Sequence, residues 1–149
     1  MLFRRVFMVI VAGLGVAGCA SGTSKETVEA AEKDVFAVHD EVMPQIGTIL
    51  KLNKQLRHRA DSLDSLKATD ASATVRIDEE KAQAMRLNRQ LNEADSLMMG
   101  WMEGYNGDTV QQLKPDAALG YLKAQKTKID DVKQKINSSI EQAQSYLKK

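Results

Sequence analysis

Six side chains could together bind a soft ion: His39, Met43, Met98, Met99, Trp101 and Met102. His39 and Met43 lie four apart, so on a helix they share a face. The other four crowd one later stretch. A helical hairpin turning near residue 71 sets residue 39 opposite residue 103, level with the Met/Trp group. Thioethers with an imidazole suit Cu(I), a soft ion. His39, Met43, Met98, Met99 and Met102 are therefore candidate metal ligands, and Trp101 a cation–π partner. The same residues also suit a packed core. Methionines fill irregular gaps and pack on aromatic rings, Trp101 and Tyr105 fall on a helix seam, and His39 could hydrogen-bond to Tyr105 or Tyr121. A small apolar or peptide groove is a third use.

No other stretch reads as a reactive site. There is no nucleophile elbow, no phosphate-binding glycine loop and no Cys/His spacing of zinc type. On a helix, Asp61, Asp64 and Ser65 fall on the solvated side. The lysines of 123–128 and 133–135 alternate with Asp130, Asp131 and Glu141, as on an outer helix face. No convergent polar set meets the criteria for an active site, so an enzyme is not expected.

The N-terminus carries an address. Arg4 and Arg5 precede an apolar run from Val6 to Val16, and small residues follow. This is the order of a secretory signal, and the run is too short to span a bilayer as a helix, which takes about 20 residues. The run closes on Val16-Ala17-Gly18-Cys19, which holds the only cysteine. This run resembles the lipobox of bacterial lipoproteins. The resemblance implies Val16, Ala17 and Gly18 as the signal-peptidase recognition residues, cleavage before Cys19, a diacylglyceryl thioether on its sulfur and an acyl group on its amine. That covalent lipid is the only expected non-protein group unless Cu(I) binds. Ala20 after the cysteine is similar to an outer-membrane sorting signal, and no acidic run follows to suggest surface display. The expected location is the outer membrane, facing the periplasm.

The chain has 21 basic and 20 acidic residues, and loss of Arg4 and Arg5 with the leader leaves 19 against 20. That balance argues against nucleic acid, which demands a basic surface. Membrane attachment rests on the lipid, since two lipid signals already anchor stably.

The body is patterned for helices. Residues 1–18 form the leader, 19–25 the lipidated cysteine and tether, and 26–149 one bundle. Thr23 to Glu26 reads as a capping box on the Thr23 hydroxyl. Val28, Val35, Val42, Ile49, Leu56 and Leu63 repeat every seven residues. Ala31, Val38, Gln45, Leu52, Arg59 and Leu66 form a second seam position, as in a coiled coil. Phe36, Met43, Ile46 and Leu50 widen the apolar face for two neighbours. Pro44 cannot donate to the Asp40 carbonyl, so a kink or a junction of two helices is expected there.

Helices are predicted over about 26–68, 73–104 and 115–147. Ile77, Ala84, Leu91, Met98 and Tyr105, with Leu87, Ala94 and Trp101, line the second. Leu122, Ile129, Val132, Ile136, Ile140, Ala143 and Leu147 line the third. Between them a single turn capped by Asp108 is predicted, and Pro115 opens the last helix. The fold class is all-α, an antiparallel three-helix bundle with coiled-coil-like seams.

His39 to Pro44, Ala94 to Met102 and Tyr121 to Ile140 together resemble small helical bacterial lipoproteins that carry the label "viral A-type inclusion protein". The resemblance implies no activity and no catalytic residues. The ending Tyr146-Leu147-Lys148-Lys149 is similar to that of the murein lipoprotein of enteric bacteria. That likeness implies attachment of Lys149 to peptidoglycan, although lysines also suit any helix C-terminus. The expected role is a membrane-anchored, non-enzymatic envelope protein, structural or adaptor in kind. A periplasmic Cu(I)-binding protein and a peptidoglycan tether are the alternatives. Expected partners are the membrane, an envelope protein or peptidoglycan, and a further copy of the chain.

Overall fold

The computed structural model describes residues 23–69 and 71–148. The expected leader, with Val16, Ala17, Gly18 and Cys19, and the expected wall-attachment residue Lys149 lie outside the described residues. The elements run α1 (Lys25–Val42), α2 (Gln45–Thr69), a 3-10 turn (Ala71–Ala73), α3 (Thr74–Gly104), α4 (Gly107–Gln112) and α5 (Pro115–Leu147). They make an all-α three-helix bundle, with no strand among the described residues. α1 and α2 together form its first leg, α3 its second and α5 its third.

Pro44 breaks the first leg where expected. The Met43 N–H still reaches the His39 carbonyl at 2.8 Å. Pro44 has no N–H to offer, and Ile46 takes the nearer Met43 carbonyl at 3.2 Å. The heptad keeps its phase across this break: Val42 and Ile49, on either side, are both fully enclosed. One continuous seam from Val28 to Leu63 therefore faces inward, and the bend follows the core.

The second seam position is only partly buried. Val38 and Leu52 are enclosed, but Arg59 lies outside and pairs with Glu80 at 2.9 Å, and Leu66 is 51% exposed. Phe36 and Leu50, expected to widen the buried face, are also exposed, and only Met43 and Ile46 pack on the core edge. The cause for Leu66 is the length of α5. The Tyr146 hydroxyl, near the end of α5, donates to the Glu80 carbonyl at 3.0 Å. α2 and α3 run on past that level as two helices only. A pair needs one seam, and Leu63 and Ile77 supply it, both buried. Lys67–Asp78 and Lys81–Asp64, each at 2.6 Å, flank this projecting hairpin. Such exposed pairs contribute at most about 1 kcal/mol each.

Two caps lie one or two residues from their predicted places. Ser24, not Thr23, caps α1 and accepts from the Thr27 N–H at 3.2 Å. Glu26 therefore falls inside the first turn, where bonds from its own backbone N–H and from Ser24 hold its carboxyl below the usual range. Asn106, not Asp108, caps α4 and accepts from the Asp108 and Thr109 N–H groups. The Asn106 N–H in turn donates to the Tyr121 hydroxyl at 2.9 Å, which ties the turn to α5. Pro115 opens α5 as its first residue. α5 runs parallel to the first leg, with Lys133 on Glu41 at 2.7 Å.

Candidate functional site

The antiparallel packing of α3 on the first leg sets the height of each polar side chain. Asn53 on α2 is buried. It donates to the Asn92 carbonyl oxygen at 2.7 Å and accepts from the Asn88 amide at 2.8 Å. About four turns nearer the start of α1, the same register brings His39 to Met102: His39 Nε2 lies 3.4 Å from Met102 Sδ. On its other side, His39 Nδ1 lies 3.0 Å from Asp40 Oδ1. The His39 ring also rests on Trp101, with centroids 5.6 Å apart and planes at 32°.

The six candidate residues thus divide. Met98 is fully enclosed on the α3 seam and belongs to the core. Met43, Met99 and Met102 are half-buried at the core edge. Met99 and Met102 share one face of α3, and Met43 lies one turn beyond His39 on the first leg. The contact between two donor atoms joins His39 to Met102. Trp101 shields the imidazole, and its own Nε1 is buried without a partner, as is one carboxylate oxygen of Asp95.

His39 does not bond to Tyr105 or Tyr121. Tyr105 lies one turn nearer the base, where its hydroxyl donates to Glu32 Oε1 at 2.8 Å. Tyr105 also meets Phe36 edge-on at 5.1 Å and packs beside Trp101 at 5.4 Å. Burial, with the adjacent Glu32 carboxylate, pushes the Tyr105 hydroxyl well above the usual tyrosine value. The folded chain therefore keeps this proton where the unfolded chain, with a value near 10, gives it up. The stabilisation from this bond is fully present below about pH 10 and is lost as the pH rises above that value. Urea midpoints between pH 9 and 11 are expected to fall more steeply for the wild type than for Tyr105→Phe. Parallel curves would show that the hydroxyl is not held in this way.

A groove of about 440 Å³ lies on the other side of Trp101, between α3 and α5. Leu97, Gly100, Gly104 and Val132 line it, with Lys128 and Lys135 among its lining residues. A Cβ at Gly100 or Gly104 would meet nothing within 4 Å, so these glycines border open space rather than a close helix contact. Among the described residues no group of three or more His, Cys, Asp or Glu side chains could hold a metal. None of the described helices is long and apolar enough to cross a membrane.

The asparagine layer was not anticipated from the sequence. Asn88 and Asn92 lie four apart, and a hairpin centred near residue 71 sets residue 53 opposite residue 89, so its signal was present in the register. Asp61 and Ser65 are exposed, as their spacing required, and Asp64 pairs with Lys81. Comparison with family models, curated proteins and solved structures finds no match to this chain.

Proposed function

We propose that this chain is a lipid-anchored protein of the bacterial outer membrane, facing the periplasm, with a structural or protein-binding adaptor role and no catalysis of its own. The observation that carries the reading is the separation of its ends. Thr23 and Ser24, which follow Cys19 by a few residues, lead into the base of α1. The α2–α3 hairpin projects from the opposite end. α1 and α2 hold 18 and 25 residues, about 65 Å of helix in total at 1.5 Å per residue. A lipid at Cys19 would hold the base at the membrane and present the hairpin far from it. Leu66 and Val75, 51% and 72% exposed, offer apolar contact at that tip. The likeness of Val16 to Cys19 to a lipobox supports the anchor, and the likeness to small helical lipoproteins brings no activity with it.

Intact mass spectrometry of the protein from native envelopes, before and after lysozyme digestion, tests this reading. The expected species begins at Cys19 and carries two or three acyl chains. Cys19→Ser is expected to move the protein from the membrane to the soluble fraction. A muropeptide remnant on Lys149 would turn the adaptor into a membrane-to-wall tether. An unlipidated native mass would overturn the proposal.

A further inference from the structure

The juxtaposition of His39 on the first leg with Met102 on α3 leads to one further assignment. We infer that these two residues, with Met43 and Met99 beside them, form a binding site for one soft monovalent cation of the Cu(I) class. The site is independent of the lipid anchor.

The donors are one imidazole and three thioethers, a set that selects Cu(I) over harder ions. No carboxylate-rich or thiolate group suited to zinc or calcium occurs among the described residues.

The ring is held in place for such a role. The Asp40 carboxylate lies 3.0 Å from His39 Nδ1, while Nε2 lies 3.4 Å from the Met102 sulfur. A carboxylate orienting the far nitrogen is also the usual support for a metal-bound histidine.

Zinc, a first-row ion, holds nitrogen at about 2.0 Å and thiolate sulfur at about 2.3 Å. Two such ligands at a tetrahedral angle lie about 3.5 Å apart by those lengths. The observed 3.4 Å therefore already suits a shared ion. Met43 and Met99 are unbranched and half-buried, and helical spacing sets each one turn from His39 or Met102, on the same side of the pair. The His39 side chain is 20% exposed, which leaves a path for the ion, while Trp101 covers the ring.

The test uses the full-length protein in detergent under anaerobic conditions. Cu(I) is titrated against a chromophoric Cu(I) chelator, and the fluorescence of the single tryptophan is followed. The wild type is expected to take one Cu(I) per chain and to quench Trp101 as it does so. His39→Phe, which keeps a ring against Trp101, is expected to weaken binding at least 100-fold, and Met102→Leu at least tenfold. Leucine for methionine is nearly volume-conserving, and unchanged helical circular dichroism would show that both variants fold. Met85→Leu, at an exposed position remote on α3, and Cys19→Ser should bind as the wild type does. Zn(II) should not compete. The assignment is overturned if the wild type takes up no stoichiometric Cu(I), or if His39→Phe and Met102→Leu bind as the wild type does. It is also overturned if Met85→Leu or Cys19→Ser weakens binding to the same degree.

Discussion

Replacing Leu91 with alanine is expected to cost about 3 kcal/mol, while the same change at Leu66 stays within about 0.5 kcal/mol. Both leucines lie on predicted seam positions. Leu91 is fully enclosed, and the helix registers set it level with Ile49 and Ile136, which are fully enclosed as well. Three helices meet there, so truncating the isobutyl side chain leaves a cavity that none of them can fill. Leu66 lies beyond the end of α5 and has water on one side already. Urea denaturation at constant m-value measures both changes. Equal losses at the two sites would mean that another surface covers the projecting hairpin. A loss at Leu66 that grows with protein concentration would identify that surface as a second copy of this chain.

Asn53→Ala is expected to cost about 2–3 kcal/mol, more than its small loss of volume suggests. Its amide and carbonyl engage Asn92 and Asn88 at once, and Asn92 also approaches Asn88 at 3.4 Å. Truncation strands the half-buried Asn88 amide and leaves Asn92, which is exposed, to water. Asn53→Leu should cost less, because the apolar side chain recovers burial energy. It should, however, loosen the register, since a lone polar layer is what makes one heptad alignment differ from the next. Spin labels at the exposed positions Arg57 and Arg86 would read this as a broadened distance distribution in Asn53→Leu. A distribution as narrow as the wild type's would show that the seam and the ion pairs alone set the alignment. The same register brings His39 to Met102, so slippage here would also open the proposed cation site.

Much of this fold follows from short-range physics. The seven-residue spacing of Val28 through Leu63 defines a buried stripe, and a stripe of that period is helical. The missing N–H of Pro44 breaks the first leg, and the fixed φ of Pro115 starts the last one. Both act through atoms no more than a turn away, so they are readable wherever they occur. The height of the His/Met group was legible for a similar reason. Two helices joined by a short turn rise by equal steps, and counting from residue 71 predicted residue 39 opposite 103. His39 in fact meets Met102.

Rotation about a helix axis is a different matter. Met98, Met99 and Met102 differ by only one to four positions, and only packing against two other helices decides which faces the core. That packing encloses Met98 and turns Met102 toward His39. Where a leg loses its cover is equally remote from local pattern. Leu66 repeats the heptad faithfully, yet the helix that would bury it ends some eighty residues later in the chain, at Leu147. The helices, the broken first leg and the level at which the soft donors gather are readable in the chain, because backbone sterics and helical period act locally. Which donor atoms meet, that Asn53 is buried and which apolar seam stays open to a partner depend on the lengths and rotations of helices packed from distant parts of the chain.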